Sequence, residues 1–467
     1  MKRKVLLLEI NEITWNLIDP FIEDGKLPTF AKLKKEGTWA APMSVDLPPQ
    51  LDPWITWTTV YTGRTQAEHN VFHLQQPPET IKAKRIWEIC REAGLRVGVF
   101  GSLGSYPPQE VDGFYVPDTF SPDAATFPAQ LNPIQKLNLT YTRSVRLEND
   151  GDSLAFKAKL GKDLLRLGLR LSTCTKILRQ LANEKITPDK RWQRVVLQPA
   201  VNFDFFSRLY KQNKPDFASF HTNHVAHFQH TYWKAMQPEV FPQPTTEKER
   251  GIYGNAIEYG YQSADELLKR AVDLCDDDTV LMVASSMGQK PYIKDSKKGK
   301  QIGQMRSLDK LVEILDVEGQ VKTISTMSDQ FNIYPNSDAV KEIVKQKLSA
   351  VYIDTTEQPM FFIGELDDFI TVNLMNYDEI SEDSQCHFPN DEEDKIFRYE
   401  DLVYQTGHSK SGCHDPQGML IIYGNGIRRG GKIEDVNNLD IAPTLLTILG
   451  LPVPTEMKGR ILSEAFA

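Results

Sequence analysis

The chain has 467 residues, room for about three structural units at ~150 residues each or for one large core with insertions. With 40% apolar and 25% charged residues it is neither disordered nor collagen-like. Its 54 basic and 63 acidic residues leave a net charge of −9, which excludes the basic footprint of a nucleic-acid-coating protein but not a local pocket for one anionic small molecule.

In chain order, Val5–Leu8 predicts a buried strand that stops at Glu9, too short for the apolar core of a signal peptide. No stretch reaches the length of a membrane span, so the cytoplasm is the expected compartment. Trp15–Glu36 reads as a helical pattern broken by a turn at Gly25–Pro28, and Ile86–Ala93 as a helix ended by Gly94. Further strands are predicted at Val97–Phe100, Phe217–Phe220, Val280–Ala284, Met360–Ile363 and Met419–Tyr423. Ile252–Leu274 predicts a long amphipathic helix, and Asp440–Leu449 a closing helix capped by Gly450. This alternation predicts an α/β fold with a mostly parallel sheet flanked by helices.

Two regions break the rhythm. Residues 120–212 hold a Pro-rich stretch and a basic helical segment, Phe156–Ala182, and are expected to form an inserted helical cap. Residues 290–400 run from the basic Lys294–Lys300 to the acidic loop Asp378–Asp394 and are expected to be a second insertion without chemistry of its own. The expected core is then 1–119, 213–289 and 401–467. The five cysteines are scattered without a CxxC pair, so neither a disulfide framework nor a cysteine zinc site is predicted.

Open α/β sheets bind ligands beyond the carboxyl ends of their strands, and the distinctive segments sit there. They are Glu9-Ile10-Asn11-Glu12, LPPQLDPWITWTTVYTG ending at Gly63, HTNHVAHFQH from His221 to His230, Ser285-Ser286-Met287-Gly288, and GHSKSGCHDPQG from Gly407. With LDIAPTLLTILGLPVP near the C-terminus, they resemble the alkaline phosphatase superfamily, in particular its type I phosphodiesterase / nucleotide pyrophosphatase branch. The resemblance covers roughly residues 1–110, 215–290 and 405–467. That branch reads Asp-Gly after the first strand, a Thr or Ser nucleophile before a helix ending in Thr-Gly, Asp-x-x-x-His, Ser-Asp-His-Gly, and His-x-x-x-Gly before a strand. The resemblance implies an alkaline-phosphatase-like core and phosphoester chemistry at two metal ions, usually zinc.

Carried over residue by residue, the first metal-binding Asp becomes Asn11, the second becomes Asn223, and Asp-His becomes Ser286-Met287. Only His227 and His414 keep the family's letters, and the nucleophile position falls on Pro53 or Asp52. Two dications carry four positive charges that these neutral groups cannot offset, so a metal pair is not expected. At most one divalent cation is expected, held by Glu9, Asp52, His227 and His414. Glu12 and Asp415 also lie close to the vacated places, and His221, His224, His227 and His230 form a dense group read as mainly structural apart from His227.

The resulting expectation is an enzyme acting on a phosphorylated or otherwise anionic small molecule, nucleotide- or sugar-linked, by metal-poor acid/base chemistry. Asp52, His227 and His414 are its candidate catalytic residues, and Asn11, Asn223, Trp54 and Ser286 its candidate substrate-binding residues. Two alternatives stand beside it: a metal-dependent phosphodiesterase with relocated ligands, and a pseudoenzyme that binds without turnover. Neither a nucleic-acid partner nor a membrane span is expected, and the sequence carries no signal for oligomeric state.

Overall fold

A computed structural model describes residues 3–48, 50–72, 76, 78–143, 164–293, 300–325, 329–366, 369–375, 377, 379–381, 383–390 and 394–467. It divides into two compact units, the first made of 1–236, 246–290 and 412–467, the second of 237–245 and 291–411.

The first unit is built on an eight-stranded sheet. Its labelled strands are β1 (Lys4–Ile10), β2 (Thr38–Ala40), β3 (Val97–Phe100), β4 (Gly113–Val116), β5 (Phe217–Thr222) and β6 (Thr279–Ser285). With Met419–Tyr423 and Gly431–Lys432 the order is Gly431–Lys432, β2, Met419–Tyr423, β6, β1, β5, β3, β4. β1 lies parallel to both β5 and β6, pairing Glu9 with His221 and with Ala284. Only Met419–Tyr423 runs antiparallel to its neighbours. Val5 to Leu8 are at most 1% exposed, as a strand covered on both faces requires. Helices Pro53–Thr62, Ala256–Val272 and Ile441–Ile448 contribute buried residues to the flanking layers. The mixed α/β class expected from the sequence is the observed one.

The expected boundaries and the compact units differ in two places. Residues 120–212 were expected as an inserted helical cap; within them, the Leu197–Asn213 helix packs on the sheet. Phe203 and Phe206 meet Phe220 with ring centroids 4.9 and 5.1 Å apart, and Phe206 also reaches Phe100 and Phe114. Burying aromatic rings there ties the helix to the sheet. The basic segment is described only from residue 164, and the Lys294–Lys300 run lies outside the described residues except for Lys300. Residues 401–411, expected in the core, belong to the second unit because Val403–Lys410 pairs antiparallel with Lys300–Met305.

The second unit has its own apolar core, including Phe331, Ile333, Val344, Ile370 and Val372. One of its four-stranded sheets orders Phe361–Leu366, Phe369–Leu374, Gln330–Pro335 and Val321–Ser325, all antiparallel. The strand predicted at Met360–Ile363 therefore forms part of this sheet, since a short apolar run does not reveal its partners.

Candidate functional site

β1 lies between β5 and β6, so the residues that follow it emerge mid-sheet. The Asn11 N–H donates to the Thr222 carbonyl at 3.0 Å, extending the β1–β5 ladder by one residue and bringing Asn11 beside Asn223. The Asn11 amide is committed at both ends. Its oxygen accepts from Trp57 Nε1 at 2.8 Å, and its –NH2 donates to Asn223 Oδ1 at 2.7 Å and Glu12 Oε1 at 3.0 Å. Asn11 thus orients Asn223 and Glu12, with both amide hydrogens spent. Asn223 is exposed with its oxygen turned inward.

Glu12 is the buried anion of the site. It is 2% exposed and adopts φ 60°, a left-handed conformation uncommon for a residue with a side chain. Gln229 Nε2 donates to its backbone carbonyl at 2.8 Å, and the Tyr261 hydroxyl in turn donates to Gln229. Gln289 donates to the carboxylate. His230 Nε2 lies 3.0 Å from one carboxylate oxygen and His414 Nε2 3.6 Å from the other. Burial pushes the Glu12 pKa up, but the charges of His230 and His414 and hydrogen bonds from His230 and Gln289 outweigh it and bring it down to about 2.

Both imidazoles are anchored from behind. His230 Nδ1 is 3.0 Å from the Gly412 carbonyl, and His414 Nδ1 is 2.7 Å from the Leu51 carbonyl. A carbonyl only accepts, so each Nδ1 carries a hydrogen and each Nε2 faces Glu12. Among the described residues, Glu12, His230 and His414 form a group whose ligand atoms all lie within 4.8 Å of one another.

The other residues singled out from the sequence fall around this cluster. Asp52 caps the Pro53–Thr62 helix, accepting from Trp54 N at 2.8 Å, and the Leu51 carbonyl beside it holds His414. Trp54 is 6% exposed and meets Phe120 edge-on, so its ring packs in the interior. Ser286 and Met287 are fully buried, and the Ser286 hydroxyl pairs with Thr56 Oγ1 at 2.8 Å. Glu9 belongs to a separate buried network, accepting from the Tyr61 hydroxyl at 2.7 Å and Ser102 Oγ at 3.0 Å, with His221 Nδ1 at 3.2 Å. His227 is exposed one helical turn before His230 and lies outside the Glu12 group. Asp415 pairs with Lys290 at 3.3 Å.

Glu12 and His230 are the cluster members absent from the sequence-based choice. Their sequence signals were slight: a carboxylate one residue beyond Asn11, and a histidine three residues beyond His227.

Residues 5–359 match the family model described as type I phosphodiesterase / nucleotide pyrophosphatase. The chain belongs to this family. Among solved structures, the type I phosphodiesterase / nucleotide pyrophosphatase fold of this chain is similar to murine ectonucleotide pyrophosphatase / phosphodiesterase 5, seen alone and as an inactive variant in complex with AMP. Identity is 13% in both, over 97% of this chain and 96% of that one, with TM-scores of 0.41 and 0.42. Comparison with curated proteins gave no match.

A pair of metal ions does not fit the residues present. At the positions where the resemblance would put metal ligands, Asn11, Asn223 and Ser286 are neutral and bonded to one another or to Trp57 and Thr56, and Met287 offers only a thioether, a soft ligand poorly matched to zinc or magnesium. One cation does fit, at Glu12, His230 and His414. Bound there, it would supply Lewis-acid polarisation of an oxygen ligand.

Proposed function

We propose that this phosphodiesterase-family chain acts on a phosphorylated or otherwise anionic small molecule, nucleotide- or sugar-linked, held near Asn223, His227 and His414. The observation that carries this reading is the run from the Leu51 carbonyl, hydrogen-bonded to His414, to the buried Glu12 carboxylate that His414 and His230 both face, with the exposed Asn223 joined to Glu12 through Asn11 and His227 exposed one turn before His230 on the same helix. It gathers polar side chains at the carboxyl ends of β1 and β5, where the family resemblance would put the phosphate.

The chemistry follows from the side chains. The –NH2 of Asn223 and the ring of His227 supply donors to an anion. Asp52, already accepting from Trp54 N, is the candidate base for a water's proton. His227 is the candidate acid for the leaving oxygen, so that water adds across the P–O bond with one proton removed and one returned, while His414, with Nδ1 on the Leu51 carbonyl and Nε2 toward Glu12, is a positioning residue. Asn11 positions Asn223. Ser286 and Trp54, fully engaged or packed, shape the floor rather than touch substrate.

Turnover of nucleotide pyrophosphates and nitrophenyl phosphodiesters by the full chain, with and without chelator, tests the reading. Asp52→Asn, which keeps an N-cap oxygen, and His227→Ala should each lower kcat by about 10²-fold. Full activity in both would remove these roles. Thermal stabilisation by nucleotide without product would favour the pseudoenzyme reading. Activity abolished by chelator and restored by one equivalent of metal would favour relocated-metal phosphodiesterase chemistry, the reading supported by the Glu12–His230–His414 group.

A further inference from the structure

We infer that Glu12, His230 and His414 form a site for a single divalent transition-metal ion, one helical turn away from the place where the family's Asp-x-x-x-His motif would put its histidine ligand. The motif points to His227. The geometry instead turns His230 inward, three residues later on the same helix.

Four features carry the inference. Each histidine presents Nε2 to the same carboxylate, at 3.0 and 3.6 Å, and all three ligand atoms lie within 4.8 Å of one another. Metal–ligand bonds of about 2.0–2.2 Å therefore need only small side-chain adjustments. Each Nδ1–H is held by a backbone carbonyl, Gly412 for His230 and Leu51 for His414, the outer-shell bond that fixes ring orientation and tautomer in metal-binding histidines. Glu12 is held with φ 60° by Gln229 on its carbonyl and Gln289 on its carboxylate, and such backbone strain persists where surrounding structure over-determines it. Finally, two imidazoles and one carboxylate as ligands would leave a coordination position open for water or a ligand oxygen. The donor set suits zinc or cobalt better than magnesium or calcium, which prefer oxygen ligands.

The site does not depend on the substrate reading above, because occupancy is measured without turnover. The full chain, stripped with chelator and dialysed against Zn2+ or Co2+, should bind one ion per chain and, with Co2+, show the intense visible bands of low coordination number. Glu12→Gln, His230→Ala and His414→Ala should each weaken Zn2+ binding by at least about 10-fold, whereas His227→Ala should leave it within about threefold. X-ray absorption of the Zn2+-loaded wild type should show two imidazoles and light-atom oxygen neighbours, which tests the ligand set even if a variant fails to fold. No stoichiometric ion, two ions per chain, or binding lost in His227→Ala but kept in His230→Ala would overturn the site.

Discussion

With Asn at position 11 and Glu at position 12, the carboxylate of this segment faces His230 and His414. Asn11 donates to Glu12 and Asn223 while accepting from Trp57, so Asn11→Asp would remove those donors and set a second anion beside Glu12. That change should destabilise the protein by about 2–3 kcal/mol, read as a lower urea midpoint at unchanged slope. The histidines divide by environment. Burial pushes the pKa of His224 down from 6.5 to about 3, so the unfolded chain takes up a proton at a pH where the folded one does not. The neutral His224 therefore contributes stability that is present above about pH 6.5 and lost as pH falls toward 3, at up to about 1.4 kcal/mol per pH unit. His224→Gln should flatten the stability-versus-pH curve between about pH 6 and 4, measured by denaturant titration.

At the scale of elements, the Pro53–Thr62 helix links fold to site. Asp52 caps its start, and Gly63, with φ 60°, ends it. Asp52→Ala should cost about 1 kcal/mol by loss of the cap, whereas Asp52→Asn should cost a few tenths at most. Comparing the thermal midpoints of the two variants separates helix capping from any loss of activity. Most central strands were legible because each is a continuous apolar run. Thr38–Ala40, Gly113–Val116 and Gly431–Lys432, of two to four residues, gave no such run. His221, His224, His227 and His230 are spaced by three, as residues on one helix face would be, yet His221 ends up in β5, pairing with Glu9, and the helix begins only at His224. That boundary decides the outcome: His221 meets Glu9 while His230 meets Glu12.

Over the whole molecule, each compact unit carries its own apolar core. Phe331→Ala, at a residue 2% exposed in the second core, should destabilise that unit by about 3–5 kcal/mol. Hydrogen exchange should show the loss in residues 291–411, with metal binding by the first unit retained. Among the described residues no helix is long and apolar enough to cross a membrane.

Taken alone, the amino-acid order determined the α/β class and the family. These are properties of periodicity and motif order, and they survive without coordinates. Tertiary structure decided which side chains meet. A left-handed φ at Glu12 and one turn of the His224–Met236 helix bring Glu12 and His230 together, and the Leu51 carbonyl turns His414 toward them. Such convergence depends on helix phase and on backbone groups from distant segments, neither of which is written in the local pattern of residues.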